Sequence, residues 1–192
     1  KLSVTACVVV SLLVAPCAVP QDNDHRHDAN ALGDVNFPVS CNAAAQSRFN
    51  TAAALLYSFY WERVDAALAA VLQADPQCAM AHWAKAVASL DNPLGSPPTP
   101  QQEQAGWAAV EKAKQLGGKT ARERDYIAAV ETVFKDHATV PFKTRAAAYE
   151  KALELLHTRY PDDSEAAVWY AYWLQVTADR NDLTHAQQLK SA

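Results

Sequence analysis

Residues 64–76 read Val-Asp-Ala-Ala-Leu-Ala-Ala-Val-Leu-Gln-Ala-Asp-Pro. Val64, Leu68 and Val71 are spaced four and three apart, which aligns them on one stripe of an α-helix. Pro76 pushes Asp75 out of the helical region, so the helix stops at Ala74. The same frame returns 85 residues later, with Tyr149, Leu153 and Leu156 ahead of Pro161. Each proline is followed by a helical pattern carrying a tryptophan, Trp83 seven residues on and Trp169 eight. A repeated pair of helices therefore organises the chain.

Outward from these two places the rest alternates between helix and turn. Asn42 to Tyr60 carries Phe49, Ala52, Ala53 and Leu56 on one face, and Cys78 to Leu90 carries Met80, Trp83, Val87 and Leu90. Residues 91–100 hold four prolines and cannot be regular. Gln101 to Leu116 is a helix stopped by Gly117-Gly118. Thr120, with Glu123 three positions on, forms a capping box for a helix that runs to about His137. Phe142 to Tyr160 and Ser164 to Ala178 follow, and another helix begins near Asn181. With alanine abundant and only 5 glycines in 192 residues, packed helices are expected throughout. The expected fold class is all-α, with antiparallel helix pairs stacked on one another.

The first residues differ in kind. Lys1, an apolar run from Leu2 to Val14 and the small residues at Ala15 and Ala18 describe a secretory signal peptide over 1–18. The run is too short for a stable membrane span. Residues 19–40 are polar and aperiodic and read as a flexible tether, with the helical domain occupying 41–192. Export to the periplasm or outside the cell follows. Removal of the leader takes Cys7 and Cys17 with it, so Cys41 and Cys78 remain as one disulfide.

Phe49, Ala52-Ala53 and Leu56, then Val64, Leu68, Val71 and Pro76, then Trp83, Ala86-Val87 and Leu90 resemble the tetratricopeptide repeat. A closer likeness rests on Phe37-Pro38-x-Ser40-Cys41, on Asp75-Pro76-x-Cys78-Ala79-Met80-Ala81-His82-Trp83, on Thr120-Ala121-Arg122-Glu123-Arg124-x-Tyr126-Ile127 and on Tyr160-Pro161-Asp162-Asp163. These look like a group of exported bacterial tetratricopeptide-repeat proteins. Such proteins are typically longer, which implies that this chain is an N-terminal portion. The resemblance implies a stack whose concave face, lined by first helices, holds a protein or peptide segment. Its groove positions fall on Ser47, Asn50, Thr51 and Ala54 in one unit and on Ala81, Ala84, Lys85 and Ala88 in the next. Asn50 would hold a bound backbone, and Lys85 a carboxylate on the partner. First helices in such a stack lie parallel and adjacent, which places Cys41 and Cys78 at the same end.

The sequence offers little for catalysis. A net charge of −4 with no basic stripe gives no site for nucleic acid. Gly118-Lys119-Thr120 copies only the end of a phosphate loop, since Ala113 stands where glycine is required and a helix precedes it. No nucleophile elbow, metalloprotease or dinucleotide motif occurs, and no cofactor is expected. His25 and His27 in the tether and the lone His82 are weak candidate metal ligands. Trp169, Tyr170, Tyr172 and Trp173 cover more than one helix face. The reading is a non-catalytic scaffold for a protein or peptide segment. An exported metal- or small-molecule-binding protein, or the N-terminal part of a longer enzyme, stays open.

Overall fold

A computed structural model describes residues 32–192. The leader at 1–18, the tether to residue 31, His25 and His27 lie outside the described residues. Leu32 to Ala192 form one compact unit. The described residues make eight helices and no strand: α1 (Ala43–Tyr57), α2 (Trp61–Ala74), α3 (Ala79–Ala88), α4 (Pro100–Leu116), α5 (Ala121–Phe134), α6 (Phe142–Arg159), α7 (Ser164–Thr177) and the short α8 (Ala186–Lys190).

Local chemistry sets these limits. The Asn42 side chain accepts from the Ala45 amide at 2.9 Å and starts α1. Thr99 and Thr120 close capping boxes with Gln102 and Glu123, as the Thr-x-x-Gln and Thr-x-x-Glu spacings require. Gly117 ends α4 at φ 73, a left-handed backbone suited to glycine. α1 stops three residues before Tyr60, because Phe59 turns left-handed at φ 58 and sends the chain back into α2.

Each helix from α1 to α7 packs on the next in sequence, and α3 also meets α1 and α5. Small residues make that approach possible. A Cβ at Gly106 of α4 would stand 2.0 Å from the Phe134 ring of α5, so only glycine fits there. Val64, Leu68, Val71, Tyr149, Leu153 and Leu156, the residues of the repeated frame, are all buried. Trp83 and Trp169 are buried to 1% and 5% exposure and meet edge to face at 5.9 Å. Cys41 and Cys78 form the expected disulfide, Cα atoms 5.2 Å apart, tying the lead-in of α1 to the N-cap of α3.

The tether expected through residue 40 does not extend that far. Phe37 is completely buried, and residues 37–40 form an irregular strap bonded to α1 and α5. Side chains of the helices meet most of its backbone groups, as described next.

Candidate binding face

The strap enters a box built from three helices. The Phe37 ring lies 5.4 Å from Phe49 of α1, 5.3 Å from Trp83 of α3 and 5.4 Å from Tyr126 of α5. The Arg122 guanidinium stands 4.8 Å from the centres of both the Phe37 and Tyr126 rings, within cation–π range. Such stacked and tilted pairs add roughly 0.5–1.5 kcal/mol each beyond their buried area.

The strap backbone is read by side chains. The Phe37 amide donates to Asn50 Oδ1 at 3.3 Å, and Gln46 Nε2 donates to the Phe37 carbonyl at 2.8 Å. The Val39 amide donates to Gln46 Oε1 at 2.8 Å, so one glutamine satisfies both a donor and an acceptor. Arg122 Nη1 donates to the Pro38 carbonyl at 2.8 Å, and Lys119 Nζ to the Ser40 carbonyl at 2.8 Å. The Ser40 amide and hydroxyl both donate to the Glu123 carboxylate, at 2.6 and 2.5 Å.

The groove positions separate on this geometry. Asn50 accepts from the backbone amide of Phe37, within its own chain. Lys85 is half-buried on α3, while Ser47 and Thr51 are exposed. Ala54 and Ala81 require correction. They are 4% and 0% exposed, as is Ala84 at 0%, and so belong to the packed core.

Burial sets the electrostatics. It drives the Glu123 carboxyl up, but hydrogen bonds from Ser40, Thr120 and Lys119 outweigh it and hold the group below its ordinary value. Asp163 behaves likewise: burial raises it, and Arg122, bonded at 2.6 and 3.0 Å, with the Tyr126 hydroxyl at 2.9 Å, brings it down. His82 is lowered by burial and by Lys85 and Lys112, which favours its neutral form. Among the described residues, His82 included, no group of three or more His, Cys, Asp or Glu is placed to hold a metal ion.

Beside the strap lies a cleft of about 570 Å³ between Asn36 and Pro38, Arg122 of α5 and the turn from Arg159 to Glu165. Arg122 and Asp163, paired with each other, line it. Glu165, in the first turn of α7, is 8% exposed, and burial pushes its carboxyl up. The Tyr57 hydroxyl of α1 donates to it, and the Tyr57 ring lies 5.7 Å from Trp169.

The strap escapes a local reading because most of its partners lie far along the chain: Gln46 is 7 residues from Val39, but Glu123, Lys119 and Arg122 are 79 to 84 away. Val35, Phe37 and Val39 do alternate at a period of two, a short extended signal that periodicity can register. Compared with known proteins, the chain matches no family model, no curated protein and no solved structure.

Proposed function

We propose that this chain is an exported, non-catalytic helical-repeat scaffold whose inner face binds an extended protein segment. In this reading the helix pairs stack in the tetratricopeptide manner, with α1, α3, α5 and α7 turned inward. The observation that carries it is the strap. Side chains of α1 and α5, with Lys119 just before α5, meet the amides and carbonyls of residues 37–40, and an aromatic box takes one side chain. Recognition of an extended peptide uses the same two elements: backbone hydrogen bonds for affinity and a pocket for one side chain. The face is occupied in cis, where a linked segment competes at an effective concentration of about millimolar. The disulfide fits an oxidising compartment.

The test replaces the strap and restores it in trans. A Phe37→Gly, Pro38→Gly, Val39→Gly variant leaves the box empty while keeping Ser40 and Cys41. Acetyl-Asn-Phe-Pro-Val-Ser-amide is then titrated against tryptophan emission, since Trp83 lines the box. Saturable binding by the variant and none by the parent supports the reading. A folded variant that ignores the peptide at millimolar concentration contradicts it.

A further inference from the structure

The disulfide stands where the strap ends, and its two sulfurs are not equivalent. Cys41 follows Ser40 directly and is partly exposed, whereas Cys78 is 1% exposed and is the N-cap of α3. The bond therefore joins the end of the strap to the helix whose Trp83 lies 5.3 Å from Phe37 in the aromatic box. Apart from the chain's continuation into α1, the strap's other holds are non-covalent: ring contacts at Phe37 and hydrogen bonds with Gln46, Asn50, Lys119, Arg122 and Glu123. An attacking thiolate reaches the sulfur that solvent reaches, which is Cys41, so Cys78 is the sulfur that leaves. Negative charge at Cys78 is favoured by the N-terminus of α3, whose first turn holds no acidic residue. Asp75 accepts from the amides of Asn42 and Gln77, each one residue from a cysteine, so its charge bears on both sulfurs.

We infer that the Cys41–Cys78 bond is a redox latch on the strap, which a dithiol reductant opens through Cys41, freeing the aromatic box for a segment supplied in trans. The exchange balances. One thiolate of the dithiol attacks Cys41 Sγ and forms a mixed disulfide, and Cys78 leaves as a thiolate that takes up a proton. The second thiolate attacks the reductant's own sulfur in that mixed disulfide and releases Cys41, which is protonated in turn. The reductant ends as a disulfide, and the protein holds two thiols. With the bond gone, Cys41 is no longer fixed beside the start of α3, and the box and its hydrogen bonds alone keep residues 37–40 in place. The strap then competes for the face at a lower effective concentration. In an oxidising compartment the latched form is the resting one. The inference rests on the segment-binding reading only for what enters the box once the strap is released.

The test uses the whole chain, oxidised and then reduced with dithiothreitol. The amides of Phe37, Val39 and Ser40, which donate to Asn50, Gln46 and Glu123, are expected to exchange about tenfold faster or more on reduction. Amides of α6 are expected to change far less, which reports that the fold is kept. Glutathione in place of the dithiol, followed by acid quenching, unfolding and alkylation, is expected to leave glutathione on Cys41 and the alkyl group on Cys78. A fluorescein-labelled Asn-Phe-Pro-Val-Ser-amide peptide, followed by polarisation, is expected to bind the reduced chain about tenfold tighter or more than the oxidised one. Strap amides unchanged on reduction, equal acceleration in the strap and α6, or glutathione found mainly on Cys78 overturns the inference. Peptide binding by the triple-glycine strap variant but not by the reduced chain overturns the latch and leaves the segment-binding reading standing. Release of the strap with no peptide bound by either protein does the reverse: it supports the latch and removes the segment.

Discussion

Ser40 and Glu123 are 83 residues apart, yet the Ser40 amide and hydroxyl both donate to the Glu123 carboxylate. The same carboxylate accepts from the Thr120 amide at 3.1 Å and so completes the cap of α5. One buried side chain thus starts a helix and fixes the end of the strap. Glu123→Ala removes both tasks and leaves three donors unpaired. The expected loss is about 1–3 kcal/mol, seen as a lower melting temperature with faster amide exchange at Ser40 and Thr120. Ser40→Ala removes only the hydroxyl bond and should cost less. Equal effects would separate the strap from the cap.

Stability should bend in opposite directions with pH at two acids. Glu123 and Asp163 lie below their ordinary values of 4.5 and 3.8 in the fold. Their contribution is present above those values and is lost as pH falls through the depressed ones. Glu165 is raised above 4.5, so its contribution is complete below that value and is lost as pH rises through the folded one. Glu165→Gln, whose amide oxygen still accepts from Tyr57, should flatten the loss on the rising side and leave the acid limb intact. Melting temperatures across the acid range check this. A variant with the parent's full profile would contradict it.

Phe37 behaves as core although it precedes the first helix. Phe37→Ala empties a box of three aromatic rings and should cost about 3–5 kcal/mol. Trp83→Ala, which removes one wall of that box, should cost a similar amount. Because the two residues touch, their effects should fall short of adding. Additive losses in a double-variant cycle would show that Phe37 does not depend on Trp83.

The disulfide closes a 37-residue separation one position after Ser40. Chain-entropy reasoning gives it about 3–4 kcal/mol. It also holds the strap's last residues over α5, so Cys41→Ser with Cys78→Ser should raise amide exchange at Phe37 and Val39 more than in α6. Uniform exchange across both regions would make the bridge a global brace only.

The helices and the bridge were legible because their signals are local or count-based: three apolar residues and a proline for α2 and α6, a threonine and a glutamate for α5, two remaining cysteines for the bond. The strap was not. Phe37 belongs to a short segment with no helical periodicity, and its partners come from three helices that only tertiary packing assembles. Ala54 and Ala81 misled for a related reason. Alanine serves equally as the floor of a groove or as a contact inside the packed helices, and the sequence alone does not say which. Asn50 was expected to face a bound partner; in the fold it accepts from the Phe37 amide of its own chain.

The most direct measurement of segment binding is the affinity of the acetyl-Asn-Phe-Pro-Val-Ser-amide peptide for the glycine-strap variant, with and without Gln46→Ala. Gln46 reads both the Phe37 carbonyl and the Val39 amide, so its removal should weaken the peptide by about tenfold or more, and a peptide with Phe replaced by Ala should not bind. Equal affinity for the Phe and Ala peptides, or no change on Gln46→Ala, would show that the inner face does not recognise an extended segment.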